Sequence, residues 1–344
     1  MATARMKQVV LRAHPRGNPV PEDFAVEEVD IPSPGPGEIL VRTIWLSLDP
    51  LIRFALDEKP LTGVARVGLG EPVYGGTVSR VVESNHADYA VGDLVEVRSG
   101  WREYAVVDPA RQVMNFRKLD PALKPLSAAL GLVGMPGQTA HAAVIEIGRV
   151  AAGETVVISA AAGAVGAFAG QIARARGARV VGIAGGPAKC KALEELGFDA
   201  CVDYKAADFE AKLAAALPDK VDVYLDNVGG DVSLKVLPHL KHGARMPVIG
   251  FISYYGDGME APGPDKLPGF LRFVMSRGLE VRGFPGAMTA GPKALVELAD
   301  WLASGKIRNV ETVVDGLENA PAAFAGKFGG NDHIGKLVVR VGDE

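Results

Sequence analysis

At 344 residues the chain is long for a single hydrophobic core, so two domains are expected. Hydrophobic content of 48% with charged content of 23% is that of a folded globular enzyme, and a net charge of -4 without blocks of like charge argues against nucleic acid or an anionic membrane surface as the main partner. Two cysteines rule out a disulfide framework and, with scattered histidines, a four-cysteine zinc site.

The N-terminus, MATARMKQVVLRAHP, carries no signal-peptide core, and no later stretch approaches a membrane span, so a cytoplasmic location is expected. Residues 6 to 125 read as mostly strand. Val9–Leu11, Phe24–Val29 and Ile39–Leu46 are β-type runs separated by Pro/Gly punctuation, and Val73–Val82, Leu94–Val97 and Trp101–Val107 continue the pattern. Strands at that spacing with few helices suggest a small barrel or sandwich. Helical segments around Ala128–Leu132 and Thr139–Ile147 then mark a change of architecture.

The next stretch, Glu154–Ala184, sets the class of the second domain. Thr155–Ser159 is a buried strand, Phe168–Arg176 a helix stopped by Gly177, and Val180–Ala184 a second buried strand. This is a β-α-β unit of about thirty residues. Its turn, Ala160-Ala161-Ala162-Gly163-Ala164-Val165-Gly166, resembles the dinucleotide fingerprint with alanine in place of the first glycine. Gly163 lets the backbone approach a pyrophosphate, Gly166 lets helix and strand pack closely, and the N–H groups of Ala164 and Val165 at the helix start face the anion.

A carboxylate about twenty residues past the glycines would hold the ribose diol of NAD. Here the chain reads Gly185-Gly186-Pro187-Ala188-Lys189, with no acid until Glu194. An open glycine turn at Gly186 beside Lys189 accepts a 2′-phosphate, so NADPH is favoured over NADH.

Alternation then continues. Helices are expected at Ala188–Leu196, Phe209–Ala216, Val232–Leu240, Leu267–Arg277 and Pro292–Ser304, and strands at Ala200–Tyr204, Val221–Asp226, Ala244–Gly250 and Leu279–Gly283. That is a doubly wound parallel sheet. Val310–Val314 and Leu337–Val341 return to strand and rejoin the first domain. The expected division is a β domain of residues 1–130 and 310–344, a Rossmann domain of 131–309 inserted into it, and a ligand cleft between the two.

The motifs become specific when taken together. They are Leu48-Asp49-Pro50 with Arg53, Ala90-Val91-Gly92-Asp93, Gly134-Met135-Pro136-Gly137, the AAAGAVG turn and Asp226-Asn227-Val228-Gly229-Gly230. Gly250-Phe251-Ile252-Ser253-Tyr254-Tyr255, Glu318-Asn319-Ala320-Pro321 and Gly335-Lys336-Leu337-Val338-Val339 follow. In this order they resemble the medium-chain dehydrogenase/reductase superfamily, and more narrowly its zinc-independent prostaglandin reductases and 2-alkenal double-bond reductases. The resemblance implies a GroES-like first domain and a homodimer.

Zinc alcohol dehydrogenases of that superfamily need an early cysteine and a Gly-His-Glu segment; the matching regions here read Trp45-Leu46-Ser47-Leu48-Asp49 and Tyr74-Gly75-Gly76-Thr77-Val78. With no thiolate or imidazole there, no metal site is expected. Hydride delivery to an activated carbon–carbon double bond needs none. The β-carbon of an enone or enal is already electrophilic, and the site must position the reactants and donate a hydrogen bond to the developing enolate oxygen. The final proton at the α-carbon comes from a tyrosine or from water.

Residue by residue, the resemblance makes Tyr255 the catalytic donor, with adjacent Tyr254 as its alternative. Lys189 and Tyr204 would bracket the 2′-phosphate, Asn227 would bond the cofactor at a strand end, and Gly250, Ile252 and Ser253 would line the nicotinamide side. Phe284 would pack near the nicotinamide, Asn331 would close over the diphosphate, and Arg53 and Met135 would face the substrate. Arg53 equally suits a salt bridge, and the histidines are given no chemistry. The expected activity is NADPH-dependent reduction of small or lipid-derived enones and enals. A quinone reductase of the same fold and a catalytically silent NADPH-binding protein are the alternatives.

Overall fold

The computed structural model describes residues 4–60, 64–112, 116–256, 265–330 and 333–344. It divides into two compact units, one of residues 1–130, 312–331 and 337–344 and one of 131–311 and 332–336.

The first unit opens with β1 (Arg5–Leu11) and β2 (Phe24–Asp30), paired as an antiparallel ribbon. Next come β3 (Ile39–Ser47), the short helix α1 (Ile52–Ala55), β4 (Thr77–Ser84), β5 (Leu94–Val97), β6 (Tyr104–Val107) and β7 (Arg117–Lys118). The run expected from Val73 becomes regular only at Thr77, because the backbone of Val73 is spent on Val9 and Trp101. The Trp101 carbonyl likewise accepts the Val9 N–H, so the strand expected there begins at Tyr104.

The second unit starts with α2 (Met135–His141), which runs on into a π-type turn at Ala142–Ile147. Strand and helix then alternate: β8 (Thr155–Ile158), α3 (Ala164–Ala175), β9 (Arg179–Ala184), α4 (Pro187–Glu195), β10 (Ala200–Asp203), α5 (Phe209–Ala216), β11 (Val221–Leu225) and α6 (Gly230–Val236). The series closes with β12 (Leu240–Val248), α7 (Leu267–Arg277), β13 (Glu280–Gly283) and α8 (Ala294–Ala303). The six strands form a parallel sheet in the order β10-β9-β8-β11-β12-β13. The order reverses direction at β8 and β11, the switch point where such sheets bind ligands.

The inner strands β8, β9 and β11 bury both faces, which is why they read as continuous apolar runs. Val156, Ile158, Val180, Val223 and Leu225 join one core with Phe168 and Ile172 of α3 and Leu298 of α8. Val157, Val181, Ile183, Val202 and Tyr224 join another with Phe209 and Leu213 of α5 and Val236 of α6. Gly170 of α3 lies against the ring of Phe198, so close that any side chain there would collide with it.

The tail supplies β14 (Glu311–Asp315), α9 (Ala320–Gly329) and β15 (Lys336–Arg340). β15 adds antiparallel to β3, extending the first unit's sheet to the order β14-β15-β3-β4-β5-β7, with β6 also on β3. Helix α9 carries Phe324 edge-on to Trp101 at 5.5 Å, and Trp101 stacks on Phe24 at 5.5 Å. Gly335 and Lys336 belong instead with the second unit: the Gly335 N–H donates to the Ala162 carbonyl at 2.8 Å and the Lys336 N–H to Val310 at 2.8 Å. Among the described residues no helix is long and apolar enough to cross a membrane.

Candidate cofactor and active site

The carboxyl ends of β8, β9, β11 and β12 bring four loops together in sequence-encoded turns. After β8, Ala160 takes a left-handed φ of 46°, a strain of roughly 1 kcal/mol for a residue with a Cβ. It turns the chain so that Gly163 caps α3. The Gly163 N–H is spent on Ala160, whereas the N–H groups of Ala164, Val165 and Gly166 lie in the first helical turn, where no carbonyl one turn back can accept them. Such a helix start binds an anion. A Cβ on Gly166 would sit 2.6 Å from the Ala160 carbonyl oxygen and 2.7 Å from the Ala161 Cα, so only glycine lets loop and helix meet.

The loop after β11 is organised by Asp226, which opens its motif but was given no role in the sequence. Asp226 is only 3% exposed, yet its carboxylate accepts five hydrogen bonds. Oδ1 takes the Ser159 hydroxyl at 3.0 Å, the Tyr224 phenol at 2.9 Å and the N–H groups of Val228 and Gly229 at 3.0 Å each. Oδ2 takes the Ser233 hydroxyl at 2.6 Å. Desolvation and the nearby carboxylate push the Tyr224 phenol well above its ordinary pKa, so it remains a donor. Asn227 is tied to β8 by its N–H to Ser159 Oγ (2.9 Å) and its Nδ2 to the Ser159 carbonyl (2.8 Å). Its amide is therefore held at the switch point by a buried network.

The two tyrosines of the β12 loop diverge. Tyr255 is 7% exposed and packs edge-on against Phe251 at 5.3 Å. Its hydroxyl lies 3.3 Å from where a Cβ on Gly250 would stand, so the phenol covers the strand end and Gly250 must be small. Burial raises the Tyr255 pKa, and a hydrogen bond from the Phe251 backbone opposes this more weakly. Tyr254 instead lies over the next loop, its hydroxyl 3.4 Å from the Cβ position of Gly230. Ser253 gives both its N–H and its hydroxyl to the Val228 carbonyl (3.2 and 2.6 Å), and the Ile252 N–H goes to Asn227 at 3.3 Å. The loop is thus laced to the Asp226 turn.

After β9 the structure corrects the expectation of an acid-free turn. Asp203, at the end of neighbouring β10, places Oδ1 2.8 Å from the Gly186 N–H and 2.9 Å from the Lys205 N–H. The backbone N–H of Gly186 is the largest influence holding this carboxyl below its ordinary pKa. The acid comes from the next strand, so a search downstream of the glycines stops short of it. Lys189 is half-buried in the first turn of α4, and Tyr204, 44% exposed, lies over Gly185 with ring Cε1 2.9 Å from its Cβ position. The Lys205 stem is equally close, with Cε at 3.0 Å; it is a second cation at the turn that the motif reading did not single out.

Other expected positions fall as follows. Met135 begins α2 and its carbonyl accepts the Thr139 hydroxyl at 2.8 Å. Phe284, just past β13, is partly buried against the core of the second unit. Arg53, 1% exposed in α1 of the first unit, gives Nε and Nη2 to the Gly17 carbonyl (3.1 and 2.8 Å) and Nη1 to Asp57 (2.5 Å). Its guanidinium ties a loop to a helix, in keeping with the salt bridge that the sequence also suited. Asn331 lies outside the described residues.

His141 has a carboxylate partner that the sequence did not reveal, Glu297 at 2.9 Å, joining α2 to α8. Cys190 and Cys201 are half-buried neighbours whose thiols burial pushes upward, away from a reactive thiolate. Among the described residues no three His, Cys, Asp or Glu side chains converge as metal ligands.

A parallel sheet with an open helix start after β8, lysines beside the glycine turn after β9 and a buried phenol after β12 is an arrangement suited to a dinucleotide. Residues 7–115 match the family model described as the N-terminal domain of oxidoreductase, and residues 164–304 that described as zinc-binding dehydrogenase. The chain is 44% identical to the NADPH-dependent curcumin reductase of Escherichia coli (strain K12) over 99% of this chain and 98% of that one. It is 39% identical to prostaglandin reductase 1 of Oryctolagus cuniculus, covering 96% and 92% respectively. The crystal structure of CurA from Vibrio vulnificus in complex with NADPH superimposes with a TM-score of 0.90 at 40% identity, over 98% of this chain and 100% of that one. The chain belongs to the medium-chain dehydrogenase/reductase superfamily, in its zinc-independent group of prostaglandin and 2-alkenal double-bond reductases.

Proposed function

We propose that the protein reduces the carbon–carbon double bond of α,β-unsaturated ketones and aldehydes with NADPH, without metal. The observation that carries this reading is Tyr255, a buried, protonated phenol at the carboxyl end of the sheet. The cofactor is NADPH, and the loops fit it: the glycine-only approach at Gly166 and the first-turn N–H groups of α3 suit a pyrophosphate, and Lys189, Lys205 and Tyr204 suit the adenosine end. The chemistry NADPH supplies when bound is a hydride, accepted at the substrate's β-carbon.

Tyr255 donates a hydrogen bond from its O–H to the carbonyl oxygen, which becomes an enolate as the β-carbon is reduced. A proton from a tyrosine or from water then reaches the α-carbon to give the saturated product. A phenol oxygen that itself accepts the Phe251 N–H is a stronger donor through its own proton. Asn227, fixed through Ser159 and the Asp226 turn, and Gly250, which leaves room beneath the phenol, hold the reacting end. The test is NADPH oxidation against enals, enones and quinones with a cofactor deuterated at C4. Deuterium is expected at the β-carbon of the saturated product; turnover confined to quinones, or label never found at that carbon, overturns the reading.

The working form is a homodimer. β13 is the outer strand of its sheet, exposed along its length, and reads Glu280-Val281-Arg282-Gly283. Antiparallel pairing with a second copy, centred on Val281, sets Glu280 opposite Arg282 of the partner subunit, so the edge is complementary to itself. Sedimentation is expected to give twice the 36.0 kDa chain mass, and Val281→Pro to give a monomer. A wild-type monomer contradicts the assignment.

A further inference from the structure

We infer that Asp203 limits the preference of the adenosine-end turn for a 2′-phosphate, acting as a fixed negative charge beside that group. The inference rests on the reading that NADPH binds here. The turn follows the second strand of the fingerprint unit, where a dinucleotide presents its ribose 2′ position.

Three observations place the charge. Asp203 Oδ1 holds the N–H of Gly186 in the turn after β9 and that of Lys205 in the loop after β10. Gly186 adopts φ 96°, so the peptide that Asp203 grips is in a conformation that suits glycine. The Tyr204 ring and the Lys205 stem converge on Gly185, which brings the phenol, the cation and the carboxylate to one turn. A carboxylate beside a ribose diol is a hydrogen-bond acceptor; beside a dianionic phosphate it repels. Lys205 offsets that repulsion and Asp203 restores part of it, so the turn retains tolerance for a ribose without phosphate.

Both backbone hydrogen bonds end on Oδ1. Asp203→Asn therefore keeps the clamp, with its amide oxygen in place, and removes only the charge. The direct measurement is fluorescence titration with NADPH and NADH, with calorimetry of the fragments 2′,5′-ADP and 5′-AMP. For Asp203→Asn, NADPH and 2′,5′-ADP are expected to bind about two- to tenfold more tightly at low salt, the gain shrinking at high salt. NADH and 5′-AMP are expected to be unchanged or weaker. Unchanged or weakened 2′,5′-ADP binding in a folded Asp203→Asn protein overturns the inference. Lys205→Ala and Lys189→Ala separate it from the reading beneath it: if neither weakens 2′,5′-ADP binding, the phosphate is not held at this turn and that reading fails.

Discussion

Replacing Tyr255 by phenylalanine is expected to lower kcat about a hundredfold or more while NADPH affinity stays within about twofold, since a donor aimed at charge that develops only in the transition state is typically worth that much. The ring remains, so the edge-on contact with Phe251 and the cover over Gly250 survive and the loop keeps its shape. What is lost is the O–H. Because burial holds the phenol's pKa above its ordinary 10.0, the donor stays protonated at every pH up to that value, and any alkaline loss of rate caused by its ionisation falls above it. A wild-type rate falling through a midpoint near pH 8 would therefore report some other group. Tyr254→Phe is the matched control. Its hydroxyl lies over Gly230, so a few-fold effect is expected, and a larger loss there than at Tyr255 would exchange the two roles.

The parallel-sheet unit was legible because its inner strands bury both faces and its turns are punctuated by glycine and proline. The limits Phe209–Ala216 and Leu267–Arg277 match the observed helices end to end. Helix α3 begins four residues before the expected Phe168, since the small residues from Ala164 carry too little apolar periodicity to announce a helix whose start is fixed by the Gly163 turn. Helix α9 was not foreseen. Its sequence, Ala320-Pro321-Ala322-Ala323-Phe324-Ala325-Gly326-Lys327-Phe328-Gly329, is poor in long apolar side chains, and its anchor is tertiary: Phe324 seated against Trp101 and Phe24.

In the site, readable contributions are those made within one loop, such as the glycines of the fingerprint. Contributions made across strands were opaque. Asp203 comes from β10 to a turn after β9, and Arg53 finds its partner carbonyl at Gly17 in a distant loop. A motif names the residues of a loop but not which of them faces inward. That is why Asn227 drew attention and Asp226, its neighbour, did not.

Asp226→Ala should be the most damaging single change in the sheet's ligand-facing end. Removing the carboxylate strands five donors in a site that is 3% exposed. Two of them can recover: the Tyr224 and Ser233 hydroxyls already lie 2.9 Å apart and can bond each other. The N–H groups of Val228 and Gly229 have no hydroxyl freedom and lose their acceptor outright. At roughly 1–3 kcal/mol for each buried group left unsatisfied, the expected loss is about 3–5 kcal/mol, a fall in Tm of roughly 4–7 °C for a chain of 344 residues. Asp226→Asn keeps an acceptor at the Oδ1 position, where four of the five bonds end, and its amide can donate to a rotated Ser233 hydroxyl. Its cost is expected to be less than half as large. Thermal unfolding and NADPH titration of the pair separate two effects. A stable Asn variant with intact affinity and an Ala variant that is both unstable and weak in binding would show one network serving fold and cofactor loop together. An Ala variant melting within about 2 °C of wild type would mean that the turn is held by the Ser253 and Ile252 bonds instead.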